Sequence, residues 1–290
     1  MKNNLMGALL RRPEAGAVLS LLAVVMFFVV FGGVQLDKLS SAASWVNFAA
    51  NLGLVAMPVG LLMIAGELDI SIGAMIPAGS MSIAIVSGHY GLPIAVGMAV
   101  ALGIGVVVGL INGLLTVRTS VPSLIITLGT LVAMQGIVLS ASVLLTGNAS
   151  VALHAPEWAK TGFGQLLAGN YQIIIVWWLA LTVVYVFVMH HSKFGNWIFA
   201  MGGDKQSARN AGIPTHGLTI SLFVLSATSA SFVGMCGAIS MPSVAWVDTS
   251  GCDHWVRSYY RVWLALPYVT DRLVGSGVFG LSELGMARVG

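Results

Sequence analysis

Charge is scarce in this chain: Asp, Glu, Lys and Arg make up 8% of its 290 residues, whereas 57% are apolar and the mean hydropathy is +0.93. A soluble domain of this length could not carry that composition without exposing apolar surface to water, so lipid is the solvent for most of the chain. Cysteine is nearly absent. Two residues, Cys236 and Cys252, support neither a disulfide framework nor a thiolate metal site. No lysine follows a glycine, so the Gly-x-x-x-x-Gly-Lys-Ser/Thr loop that cradles phosphates is missing. His89, His154, His190, His191, His216 and His254 show no metal spacing, and no serine, histidine and acid set can be assembled. The chain is therefore read as no enzyme, with no metal or cofactor of its own.

What is present is a series of long apolar runs free of charge, as between Lys38 and Glu67 or between Asp69 and Arg118. A hydrocarbon core of roughly 30 Å takes about 20 helical residues. On that scale the runs predict an all-α, polytopic transmembrane bundle with seven spans: 15–34, 45–65, 70–88, 93–116, 122–145, 171–189 and 217–241. The first run is as long as a full span and ends in no small-x-small cleavage site, so it reads as a retained helix rather than a signal peptide, with the amino terminus cytoplasmic. Parity then puts Lys2, Arg11, Arg12, Arg118, Lys193, Lys205 and Arg209 inside and only Lys38 and Lys160 outside, as the positive-inside rule requires. These basic loops account for the net charge of +3 and pI near 9.0, and no nucleic-acid partner is inferred.

Gly97, Ala101, Gly105, Gly109 and Gly113 recur every four residues in the fourth span, and Ser226, Ala230, Gly234 and Ala238 do so in the seventh. Such stripes serve close helix contact or, alternatively, face a pore. Pro58 and Pro77 fall inside the second and third spans and are expected to bend or break them. Asn47, Asn51, Asn112, Thr127, Thr130 and Gln135 are polar residues within spans, suited either to interhelical hydrogen bonds or to a translocation path. Asn51, Thr127, Thr130 and Gln135 are the path candidates, with Asn51 and Gln135 preferred.

Gly66-Glu67-Leu68-Asp69-Ile70-Ser71-Ile72-Gly73 places two carboxylates at a break between apolar runs. Asp69 or Ser71 could cap the third span while Gly66 and Gly73 let the chain turn; Asp69 could instead act as a gate. This segment resembles the signature of the ribose-type (monosaccharide) permeases of bacterial ABC importers, on Gly66, Asp69, Ser71 and Gly73. Asn112-Gly113-Leu114-Leu115 followed by Val121-Pro122-Ser123-Leu124-Ile125-Ile126-Thr127-Leu128-Gly129-Thr130 is similar to a second stretch of that family. Pro122 suits a first helical turn, where its missing N–H is no loss.

The segment from Phe194 to Pro214 resembles the family's long cytoplasmic loop. Its local grammar predicts a short helix: Asp204 after Gly202-Gly203 as N-cap, a helix-compatible stretch to Ala211, then Gly212 and Pro214 as terminators. The alternative is an ordinary solvated loop. The resemblance implies that this helix couples to an ATP-hydrolysing subunit through Gly203, Asp204, Ala208, Arg209, Gly212 and Ile213.

What the resemblance implies overall is an inner-membrane, multi-pass permease subunit of a bacterial importer for a monosaccharide or related solute. Its partners would be a second permease subunit, identical or not, an ATP-binding cassette ATPase holding ATP-Mg, and a periplasmic sugar-binding protein. An ATP-independent transporter or channel is the alternative. Residues 1–241 read as the permease domain. Residues 242–290 lose the apolar pattern and read as an atypical tail, altered or truncated relative to a family with about ten spans.

Overall fold

The computed structural model describes residues 26–27, 39–167, 170–240 and 243–245. The expected span 15–34 lies outside the described residues apart from Met26 and Phe27, as does the tail 242–290 apart from Ser243–Ala245. Six described helices are long and apolar enough to cross a membrane, and the candidate spans within them, the first being Ala43–Ile64, each lie within three residues of the expected bounds. They are α1 (Leu39–Ile64), α2 (Ile72–Ile83, prolonged by a π-helical turn Ala84–His89), α3 (Ile94–Arg118), α4 (Ser123–Thr146), α5 (Ile174–His191) and α8 (Thr215–Ser240). Two shorter helices, α6 (Lys193–Gly203) and α7 (Lys205–Asn210), fill the loop between α5 and α8.

Neither proline breaks its helix. α1 runs through Pro58 and α2 through Pro77, so the expectation of a break is corrected. Proline instead marks two starts, with Pro93 as the N-cap of α3 and Pro122 as that of α4, where a missing N–H leaves no hydrogen bond unmade.

α8 is the centre of the packing. In its most apolar window 72% is buried, against 17% for α4 and for α5, which therefore turn most of their surface away from the described bundle. The small residues explain how α8 can be so enclosed. A Cβ added at Gly105 would stand 2.8 Å from Thr228 Cα, one at Gly109 2.5 Å from Val224 Cα, and one at Gly113 2.8 Å from Ile220 Cα. Each step of four up α3 meets a step of four down α8, so the backbones lie antiparallel and in direct contact. The second stripe does the same against α2: Gly234 abuts the carbonyl oxygen of Ile76, and Gly79 abuts Ser231. Both stripes are packing seams, the contact-based association expected where no hydrophobic effect drives helices together.

Loop contacts support the parity of the spans independently of charge. On the side assigned outside, β1 (Ser150–Ala152) pairs antiparallel with β4 (Ser243–Ala245), and β2 (Leu166–Leu167) with β3 (Tyr171–Gln172). Asn47 at the outer end of α1 clamps that second hairpin, donating to Asn170 O at 2.9 Å and accepting from Gln172 N–H at 2.8 Å. On the side assigned inside, Glu67 after α1 pairs with Lys205 at the start of α7.

Candidate functional site

The break between α1 and α2 is built from a helix stop and a buried turn. Gly66 has φ +84°, a conformation that costs other residues, and closes α1 with a Schellman cap: its N–H donates to Met63 O at 3.0 Å and Glu67 N–H to Leu62 O at 3.0 Å. Glu67 stays near the surface while Asp69 and Ser71 go inside, 1% and 0% exposed. The Asp69 carboxylate accepts from Ser71 N–H at 3.0 Å, Ser71 Oγ–H at 2.6 Å and Ser226 Oγ–H at 2.9 Å. Ser71 Oγ in turn accepts from Asn112 Nδ2 at 2.9 Å, and Asn112 Oδ1 accepts from Thr130 Oγ1–H at 2.6 Å.

One polar knot thus joins the turn and α2 to α3, α4 and α8. Its donors and acceptors match, which is what makes burial of a carboxyl and a carboxamide tolerable. No basic side chain pairs with Asp69 among the described residues. Ser71 does not cap α2 by accepting a backbone N–H; its hydroxyl is engaged by Asp69 and Asn112, so that expectation is corrected. Asp69 takes the backbone role, receiving the amide that leads into the helix. Gly73 has no left-handed backbone, so the expectation that it lets the chain turn is corrected; a Cβ there would make only ordinary contact with Leu131 of α4, at 3.4 Å.

The path candidates occupy two different levels. Thr127 is fully buried, its hydroxyl donating to Ser123 O at 2.9 Å and lying 3.4 Å from Leu68 O. Thr130 belongs to the polar knot. Asn51 sits at the outer end, its amide 2.8 Å from Asn47 O and 3.4 Å from Gln172 Oε1. Gln135 is half-buried further along α4. Sequence reading missed Ser226 and Ser123 as polar partners. Ser226 had a signal of its own, a hydroxyl within a stripe of small residues, whereas Ser123 Oγ, accepting Leu68 N–H at 3.1 Å, had none. A groove of about 640 Å³ between α2, α3 and α4 is lined almost wholly by aliphatic side chains and offers a polar solute nothing, since the Ser82 hydroxyl donates to Gly79 O at 3.0 Å.

The loop between α5 and α8 holds the second group of candidate residues. Ser192 caps α6, and Asp204 caps α7 by accepting Ser207 N–H. Ser207, through its side chain and its backbone, holds the Asp204 carboxyl below the ordinary carboxylate range. α7 ends in a second Schellman cap: Gly212, at φ +84°, donates to Arg209 O at 3.0 Å, and Ile213 N–H to Ala208 O at 3.1 Å. Ala208, 4% exposed, is the anchor that presses α7 onto a cluster including Leu62, Ile198, Met201 and Leu218. Gly203, Asp204, Lys205, Gln206, Ser207, Arg209, Asn210 and Gly212 all face outward. α7 is thus capped at both ends, with one apolar face down and a polar face exposed.

Among the described residues no group of His, Cys, Asp or Glu is placed to hold a metal ion. A family model described as "Branched-chain amino acid transport system / permease component" matches residues 41–257. The chain is similar to the inner membrane ABC transporter permease protein YjfF of Escherichia coli, 30% identical over 66% of this chain and 57% of that one. It is 24% identical to the fructose import permease protein FrcC of Rhizobium meliloti, over 94% of this chain and 79% of the relative. The galactofuranose transporter permease protein YtfT of Escherichia coli is 30% identical over 80% of this chain and 63% of its own length. The chain thus spans less than two thirds of two of these three relatives. No solved structure matches it.

Proposed function

Because the chain belongs to the family of the branched-chain amino acid transport system permease component, and within it to the monosaccharide permeases, we propose that it is the membrane-spanning permease subunit of a bacterial ABC importer. The solute is a monosaccharide or a related small polar molecule. The observation that carries this reading is the family match across all six described spans, taken together with a capped helix of fixed geometry on the cytoplasmic side.

In this reading a second permease subunit, identical or not, completes the path across the inner membrane, and a periplasmic binding protein delivers the solute. ATP-Mg is bound and hydrolysed on a separate ATPase subunit. This chain contributes position rather than covalent chemistry. Asp204 and Gly212 with Ile213 hold the two ends of α7, Ala208 seats it, and Arg209 presents a cation on its outward face. Gly203, beside which a Cβ would meet nothing, leaves the approach to the helix unobstructed.

Affinity purification of the tagged chain from its native host tests the reading. Recovery of an ATPase carrying a phosphate-binding loop is expected. Recovery of the chain alone, with uptake that persists when that ATPase is deleted, would instead establish the ATP-independent alternative.

A further inference from the structure

Glu67 and Lys205 lie 138 positions apart, yet Lys205 Nζ and Glu67 Oε1 are 2.5 Å apart. Each is mounted on a stiff support. Glu67 directly follows the left-handed Gly66, and its own N–H is tied to Leu62 O at 3.0 Å. Lys205 is the first residue of α7, next to the capping Asp204. The Glu67 side chain is 11% exposed and that of Lys205 45%, so the carboxylate is largely withdrawn from water and the pair is less screened than one on an open surface.

The segment beyond Glu67 has no slack. Leu68 N–H donates to Ser123 Oγ at 3.1 Å, fastening the turn to the start of α4. Asp69 then enters the knot with Ser71, Ser226 and, through Ser71, Asn112. A rigid polar connection therefore runs from α7 through the Gly66–Gly73 turn into α2, α3, α4 and α8. The other seat of α7, under Ala208, is apolar.

We propose that the Glu67 and Lys205 pair is the link by which displacement of α7 is passed to the turn 66–73 and on to the membrane helices. The proposal rests on α7 being the surface that receives the ATPase. Both are positioning residues, since neither touches nucleotide or solute, and the element they would bias is the turn together with α2.

Hydrogen exchange of the purified complex, with and without ATP plus vanadate to trap nucleotide on the ATPase, tests the link without knowledge of the solute. In the unmodified complex, trapping is expected to change exchange in residues 66–73 by about fivefold, the low end of coupling between distant sites. Glu67→Gln should retain the ATPase, because the outward face of α7 with Gln206, Arg209 and Asn210 is untouched, yet lose that response, and Lys205→Gln, scored only in complexes that still carry the ATPase, should lose it too. The exchanged pair E67K/K205E should recover it, which would not follow if either side chain acted alone. Responses unchanged in both single variants, or no recovery in the exchanged pair, would overturn the link while leaving the permease reading intact. The exchanged pair decides alone if a single variant fails to accumulate. Absence of any ATPase from the unmodified complex would instead overturn the permease reading, and the link with it.

Discussion

Gly109→Ala adds one methyl group at the tightest step of the seam between α3 and α8. The new Cβ would lie 2.5 Å from Val224 Cα, 2.7 Å from Phe223 O and 2.9 Å from Val224 N, all backbone atoms of a helix that is itself enclosed. No rotamer change relieves such a contact, so the helices must separate along the seam and loosen the contacts at Gly105 and Gly113. Overpacking of this kind costs about 1–3 kcal/mol, while replacing glycine by alanine in a helix returns about 1 kcal/mol of propensity. Gly103→Ala isolates the second effect, because it lies on the same helix with nothing within 4 Å of its added Cβ. The difference between the two variants is therefore the packing cost alone, about 2 kcal/mol. For a protein of this size that corresponds to a melting point about 4–8 °C lower for Gly109→Ala than for Gly103→Ala. Thermal unfolding of the two detergent-solubilised variants, followed by loss of the monodisperse peak in size exclusion, measures it. Equal melting points would refute direct backbone contact along this seam.

Asp69→Leu leaves Ser71 N–H and the Ser226 hydroxyl without their acceptor and should cost about 3 kcal/mol in the same assay. Asn112→Leu should cost only about 1 kcal/mol, because the Thr130 hydroxyl can fall back on Ile126 O at 3.1 Å; equal losses would contradict this ranking. Gly212→Ala meets no steric obstacle but forces a side chain into φ +84°, so about 1 kcal/mol of local stability is lost and exchange over residues 205–210 quickens; unaltered exchange would remove the case for the left-handed cap. The Asp204 carboxyl is held low by Ser207, so its pKa is lower in the folded helix than in the unfolded chain. The cap is then fully present above about pH 4 and is lost as pH falls through the folded value. The protection factor of the Ser207 amide should accordingly stay level down to about pH 4 and drop below it, and a drop beginning at neutral pH would count against the cap.

Six spans and their order were legible from composition because lipid imposes a local demand, an apolar run of fixed length. The cap at Asp204 and the stop at Gly212 were legible for a similar reason, since helix termini are governed by neighbours a few residues away. The small-residue stripes announced close contact but not its partner. Only the tertiary structure set Gly105, Gly109 and Gly113 against Thr228, Val224 and Ile220. Pro58 and Pro77 were expected to bend or break their helices, and both helices run on past them without a break.

The signature turn shows where local reading ends. Its glycine at 66 and its carboxylates at 67 and 69 are evident in the chain, yet a residue's role depends on what stands opposite it, and Ser226, Asn112 and Lys205 are all more than 40 positions away. By itself the sequence determined that this is a membrane bundle with a short capped helix between two of its spans. The tertiary structure alone decided that Asp69 turns inward to neutral donors and Glu67 outward to a lysine. Pairing at such separations is fixed by how whole helices pack, and no spacing along the chain encodes it.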